Sequence, residues 1–162
     1  MEQARRADER DLAAVAALAE AAIAELEPTR GGAVWSRREA RPRPVLPSLR
    51  AALDDDQQLL VVGTIDEVVI GYAAVRIETL RDDSRLAVID DLYTDPGCRG
   101  VGVGEAMMDL VVEWATEAGC TGIDALALPG NRATKNFFET FGLVARAIVV
   151  HRRLDGSAPP TS

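Results

Sequence analysis

Asp91-Leu92-Tyr93-Thr94-Asp95-Pro96-Gly97-Cys98-Arg99-Gly100-Val101-Gly102-Val103-Gly104-Glu105 is where an extended segment gives way to a helix, and this junction decides how the chain is built. Upstream, Leu86 to Thr94 carries Val, Ile, Tyr and Thr, which predicts a strand ended by Pro96 and Gly97. Downstream, Val103, Ala106, Met107, Leu110, Val111, Trp114 and Ala118 form one apolar stripe. Glu105, Asp109, Glu113 and Glu117 step along the opposite face, so the spacing predicts an amphipathic helix closed by Gly119. A glycine-rich turn at such a helix start binds anions. First-turn N–H groups have no intrahelical partner, the helix dipole places partial positive charge there, and glycines let a pyrophosphate approach the backbone. Two common phosphate loops do not fit. A GxGxxG counted from Gly100 puts Glu105 at its last glycine and counted from Gly102 puts Met107 there, and no GK[ST] is present.

Moving toward the N-terminus, Leu59 to Thr64 and Val68 to Ile77 read as a hairpin turning at Asp66 and Glu67, so with Leu86 to Thr94 they predict an antiparallel meander. Asp8 to Leu26 spaces Leu12, Val15, Leu18, Ala19, Ala22, Ile23 and Leu26 as a first helix, capped by Asp8 and stopped before Pro28. A short edge strand at Arg5 and Arg6 precedes it, and Val45 to Leu53 reads as a shorter helix. Toward the C-terminus the expected elements are a strand at Gly122 to Leu128, a helix at Arg132 to Phe141 and a last strand at Leu143 to Leu154. This order implies an α+β sandwich, that is, an α/β sandwich built on a mixed sheet. One domain over residues 1–154 with a disordered tail over 155–162 is expected.

A chain of 162 residues that is 48% hydrophobic but only 4% aromatic builds its core from Ala, Val, Leu and Ile. The net charge of −8 repels phosphate backbones and argues against general nucleic-acid binding. No apolar run approaches a membrane span and the first residues are charged, so a cytoplasmic protein is expected, with no membrane partner. Cys98 and Cys120 form no CxxC pair, and His151 is the single histidine, so neither a metal site nor a disulfide is expected. His151 reads as a structural histidine of the last strand. Arg30, Arg37, Arg38, Arg41, Arg43 and Arg50 make a local basic segment, read chiefly as a solvated face and alternatively as a contact for a substrate or for a ligand's phosphate.

Arg99-x-x-Gly102-x-Gly104 after a strand ending Asp91-Leu92-Tyr93-Thr94-Asp95-Pro96 resembles the pyrophosphate loop [RQ]xxGx[GA] of the GNAT superfamily of acetyl-CoA-dependent N-acetyltransferases. A second block, Asn131-Arg132-Ala133-Thr134-Lys135-Asn136-Phe137-Phe138-Glu139-Thr140-Phe141-Gly142-Leu143, is similar to the family's NxxAxxFYxxxGF, with Thr134 where alanine is usual. Arg5-Arg6-Ala7-Asp8-Glu9-Arg10-Asp11-Leu12 resembles the family's opening. The likeness is strongest from Leu86 to Leu143 and weakest from Glu27 to Asp56. It implies a mixed, mostly antiparallel central sheet with helices on both faces. It also implies acetyl-CoA as co-substrate, a small-molecule or peptide amine as acceptor, and a homodimer, since dimers are frequent in the family. Arginine-for-lysine bias and abundant alanine suggest a bacterial source.

Carried over by position, the resemblance gives the pyrophosphate to the N–H groups of Gly100, Val101, Gly102, Val103 and Gly104, with Arg99 beside them. It places the pantetheine arm and thioester along Leu92, Tyr93 and Thr94, where a splayed strand leaves main-chain groups free, and puts Asn131, Phe137 and Phe138 at the cofactor. An amine of pKa near 10.4 is neutral in only about one molecule in several thousand at pH 7, a deficit of roughly 4 to 5 kcal/mol. A carboxylate acting through water meets that need, and Asp90, Asp91 and Glu78 are the candidates. The family's usual tyrosine acid is replaced by Phe138, which leaves three readings: direct departure of the thiolate, another acid such as Tyr93, or loss of catalysis. A non-catalytic acyl-CoA binding or sensing module is the alternative to an amine acetyltransferase.

Overall fold

The computed structural model describes residues 1–157. Five strands, β1 (Glu2–Arg6), β2 (Gln58–Ile65), β3 (Val68–Thr79), β4 (Arg85–Thr94) and β5 (Cys120–Ala125), form one sheet in the order of the chain. The first four pair antiparallel and β5 runs parallel to β4, because the connection from β4 to β5 crosses over through a helix rather than a tight turn. Helices α1 (Leu12–Leu26), α2 (Gly32–Arg38), α3 (Leu46–Leu53), α4 (Val103–Glu117) and α5 (Arg132–Thr140) complete the described fold.

Strand alternation creates two core layers. Leu60 and Val62 of β2, with Tyr72 and Ala74 of β3 and Tyr93 of β4, pack against Leu12, Val15, Ala19 and Ile23 of α1 and Leu49 of α3. Leu59 and Val61 point the other way, joining Ala73, Val75, Ala87 and Ile89 against Met107, Met108 and Val111 of α4 and Phe138 of α5. Because helices cover both faces, β2 is buried along nearly its whole length instead of alternating with exposed positions. The α4 stripe lies on the buried side as its spacing predicts, and Gly119 follows the helix with φ of +77°, the left-handed conformation that glycine adopts without strain.

Two features set the height of α4 above the sheet. A Cβ built on Gly63 of β2 would lie 2.2 Å from Val103 Cγ1 and 3.1 Å from Met107 Sδ. A Cβ on Gly71 of β3 would meet Tyr93 O at 2.9 Å and Met107 Cε at 3.2 Å. The first turn of α4 therefore seats in a notch left by two absent side chains.

Several expected elements differ. The first helix begins with a 3-10 turn, Glu9–Asp11, in which Asp8 and Asp11 cap each other's backbone, and α1 proper starts at Leu12. Helix α2 occupies Gly32–Arg38, a stretch for which the sequence pattern predicts no element. Strand β5 is Cys120–Ala125, shorter than Gly122 to Leu128 at its C-terminal end.

The expected last strand, Leu143 to Leu154, is irregular, and Val144, Ile148, Val149, Val150 and Leu154 are exposed. β-Branched residues favour a strand only where a pleated, half-buried surface receives them, and this segment is held to β5 by the Arg146–Asp124 pair rather than by a ladder. His151 is accordingly exposed, which corrects its reading as a structural histidine. Of the expected tail, Asp155 to Ser157 forms a bend in which Asp155 accepts from the Ser157 N–H, and residues 158–162 lie outside the described part.

Candidate active site

β5 pairs with β4 only from Arg85 to Ile89. Beyond Ile89 the β4 edge from Asp90 to Thr94 faces no strand among the described residues, while on its other side Leu92, Tyr93 and Thr94 remain registered with Ala73, Tyr72 and Gly71 of β3. Apart from Thr94 O, which accepts from Arg99 Nε at 3.0 Å, main-chain groups on the open edge are thus available to a ligand. A bulge lies at the start of this stretch: Ala74 faces Asp91 and Val75 faces Ile89, so Asp90 is an extra residue that bends the strand.

The open edge leads directly into the glycine loop. Asp95 accepts from the Gly97 N–H at 2.9 Å and closes a 3-10 turn, Pro96–Cys98. Gly100 and Gly102 have φ of +85° and +89°, and Gly102 is the N-cap of α4 with no side-chain cap. The first-turn N–H groups of a 15-residue helix therefore stand without a capping side chain. Nothing lies within 4 Å of a Cβ built on Gly100, so the loop presents bare backbone. The bare backbone and uncapped N–H groups of this cradle suit a pyrophosphate, with the Glu2 carboxylate beside Gly102 and Glu105 in the first turn of α4 opposing it.

A groove of about 230 Å³ is lined by Leu92, Tyr93, Thr94, Arg99, Gly100, Val103, Gly104, Asn131 and Phe137, together with Glu25, Leu26, Cys98, Glu105, Ala133 and Thr134. Nine expected cofactor positions meet there: the three β4 residues, Arg99, three loop positions and two of α5. Asn131 caps α5, accepting from the Thr134 N–H at 3.3 Å. Phe137 faces the groove and limits α4 at Gly104, where a Cβ would come within 3.1 Å of its ring.

Phe138 is not in the groove. It is buried in the α4-side core with its ring centroid 5.9 Å from that of Phe137. Consecutive helix positions point about 100° apart, so the two rings cannot both face one cleft.

The carboxylates divide by environment. Asp91 accepts from Arg41 Nη2 at 2.7 Å, Arg41 Nε at 3.1 Å and the Tyr72 hydroxyl at 2.6 Å. Arg41 also donates to Ser48 Oγ at 2.9 Å, fixing the α2–α3 connection to the sheet. Burial and the neighbouring Asp91 push the Tyr72 hydroxyl far above its usual pKa. Asp90 is less committed, with Arg76 Nε at 3.2 Å, and Arg76 also reaches Glu78 Oε1 at 3.1 Å. Burial raises the Asp90 carboxyl, although Arg76 opposes the rise. Tyr93 is likewise raised, first by burial and then by Glu25, with the Arg99 guanidinium 5.2 Å from its ring centre and acting the other way.

The basic segment is mostly neutralised within the chain. Arg38 pairs with Glu39, Arg41 with Asp91, Arg43 with Glu20 and Arg50 with Glu9. The sequence pattern missed Glu25, Leu26, Glu105, Ala133 and Thr134. Glu25 stands 74 residues from Arg99, a separation at which only the fold creates a neighbour. Thr134 reaches the groove from the first turn of α5.

The family model described as acetyltransferase (GNAT) family matches residues 18–143. The chain belongs to the GNAT acetyltransferase family. Acyltransferase activity is what this family implies. A search of the curated proteins finds no match. Among solved structures, AAC(6')-Iy in complex with a bisubstrate analogue of CoA superposes on this GNAT chain with TM-score 0.74 at 20% identity, over 94% of this chain and 97% of the other. Glucosamine-6-phosphate N-acetyltransferase from Arabidopsis thaliana gives 0.67 at 16% identity, over 96% and 99%. A predicted acetyltransferase with acetyl-CoA from Clostridium acetobutylicum gives 0.71 at 16%, over 95% and 97%. These likenesses establish the mostly antiparallel α+β GNAT fold with helices on both faces. No helix among the described residues is long and apolar enough to cross a membrane.

Proposed function

We propose that this GNAT protein moves the acetyl group of acetyl-CoA to an amine by direct attack in a ternary complex. The observation that carries the reading is the continuity of the open β4 edge with an uncapped, glycine-lined helix start, both facing one groove. Acetyl-CoA supplies an activated thioester. Every other requirement falls on the chain. The backbone from Gly100 to Gly104 holds the pyrophosphate and Arg99 neutralises it. The free edge at Leu92 to Thr94 aligns the pantetheine arm and stabilises the developing oxyanion. Asn131 and Phe137 border the arm from α5.

Asp90 suits the role of base acting through water, because burial raises its carboxyl toward the range where it accepts protons effectively and it lies two residues before Leu92. Glu78 shares Arg76 with it and extends the same polar chain. Asp91, with three donors already, positions Arg41 and Tyr72. A thiolate of pKa near 8 to 9 departs without obligatory protonation. Tyr93 brings a hydroxyl to the groove lining, and its raised pKa keeps it protonated at neutral pH.

Calorimetric titration with acetyl-CoA and CoA tests the cofactor, and CoA release with polyamines, amino acids, aminoglycosides, arylamines and peptide N-termini tests the reaction. Micromolar binding with turnover of one amine class is expected. Absence of binding refutes the site. Binding with a silent panel favours a non-catalytic acyl-CoA module, a reading supported by the buried, proton-free Phe138.

A further inference from the structure

One wall of the groove is a carboxylate that no step above uses. Glu25, in the last turn of α1, receives Arg99 Nη2 on both oxygens, at 2.9 and 3.2 Å. It lines the groove with Leu92, Tyr93 and Thr94 and contributes to the raised pKa of Tyr93 after burial. The same turn of α1 separates two spaces. Glu25 and Leu26 face the groove, whereas Ala24, Glu27 and Pro28 face a second hollow of about 660 Å³ ringed by Thr29, Ala33, Arg43 and Arg153. Arg43, which lines that hollow, is already paired with Glu20. Glu25 therefore stands at the partition between the cofactor groove and the open space beside it.

Arg99 cannot serve two anions equally. It also donates from Nε to Thr94 O at 3.0 Å, which fixes its base while its tip is shared with Glu25. A pyrophosphate on the adjoining N–H groups brings negative charge beside both side chains, so Arg99 turns toward it and the Glu25 carboxylate loses its counter-ion. A carboxylate so exposed takes a cation.

We propose that Glu25 is the binding site for the ammonium of a cationic acceptor, masked by Arg99 until CoA binds. The proposal rests on the acetyltransferase reading above and deepens it: cofactor binds first, and the acceptor is an amine that arrives protonated. Glu25 binds the cation; proton removal remains with Asp90.

Calorimetric titration of CoA into wild type and Glu25→Gln tests the masking without any acceptor. Loss of the competing carboxylate should tighten CoA roughly three- to tenfold. Unchanged or weaker CoA binding by the variant overturns the masking. With the amine that turns over in the panel, Glu25→Gln should raise the amine KM at least about tenfold with a much smaller change in kcat, and Glu25→Asp should recover part of the loss. Product inhibition should follow cofactor-first order, with CoA competitive against acetyl-CoA. Turnover with an unaltered amine KM overturns the acceptor site while leaving the transferase reading intact; failure of the wild type to bind CoA overturns both.

Discussion

Removing the Arg41 side chain should cost the fold about 3 to 5 kcal/mol, the range for breaking a buried ion pair by deleting one partner. The Arg41 and Asp91 side chains are only 9% and 12% exposed, so this pair escapes the screening that makes surface pairs weak. Arg41→Ala strips two of three donors from Asp91, leaving Tyr72, and also breaks the bond to Ser48 that anchors the α2–α3 connection. For a domain of this length each kcal/mol moves Tm by about 2 to 4 °C, so the expected fall is roughly 6 to 20 °C. Urea unfolding followed by circular dichroism gives the free energy directly. A triple variant, Arg41→Met with Asp91→Leu and Tyr72→Phe, removes all three polar groups together and should recover most of the loss, since no charge or hydroxyl is left orphaned. A loss under about 1 kcal/mol in Arg41→Ala would refute the buried pair. So would a triple variant as unstable as the single one.

Gly102→Glu should weaken acetyl-CoA binding strongly in calorimetry while the protein stays folded, because a side chain at 102 starts 3.5 Å from the Glu2 carboxylate, sets two like charges beside the uncapped N–H groups, and at φ of +89° costs only about 1 to 2 kcal/mol. Gly63→Ala should destabilise by roughly 1 to 3 kcal/mol and weaken acetyl-CoA binding together, as a Cβ 2.2 Å from Val103 forces α4 to move; unaltered affinity would count against the notch. Asp90→Asn should lower kcat/KM and remove an acidic limb that lies above the ordinary aspartate range, because the raised carboxyl must ionise to act. The Arg5 guanidinium holds the Asp11 carboxyl below the usual range, so its stabilisation is complete above the unfolded value near 3.9 and is lost as pH falls through the lower folded value. Stability measured from pH 5 downward should show that decline, and Asp11→Asn should flatten it.

The strand-loop-helix core of the site is readable from sequence because its determinants are local: a stripe at helical spacing, glycines where backbone must be bare, and Pro96 and Gly97 ending a strand. What sequence does not carry is partnership. Asp91 and Asp90 are adjacent and alike in composition, yet a bulge and Arg41, 50 residues away, give one three donors and leave the other with a single arginine. Phe137 and Phe138 likewise differ only in helical phase, which sends one to the groove and the other to the core. The segment from Leu143 to Leu154 shows the opposite failure: its apolar, β-branched composition satisfies the local requirement for a strand, but a ladder needs a neighbour that local composition does not specify.

The glycine notch under α4 also bears on how this groove could be altered by laboratory evolution. Gly63 lies on β2, two strands away from the open edge, and is absent from the groove lining. Its missing Cβ nevertheless decides where Val103, and with it the loop's N–H groups, come to rest. A mutant library restricted to groove-lining positions would vary chemistry on a platform of fixed height, whereas one that includes residue 63 would shift the platform itself.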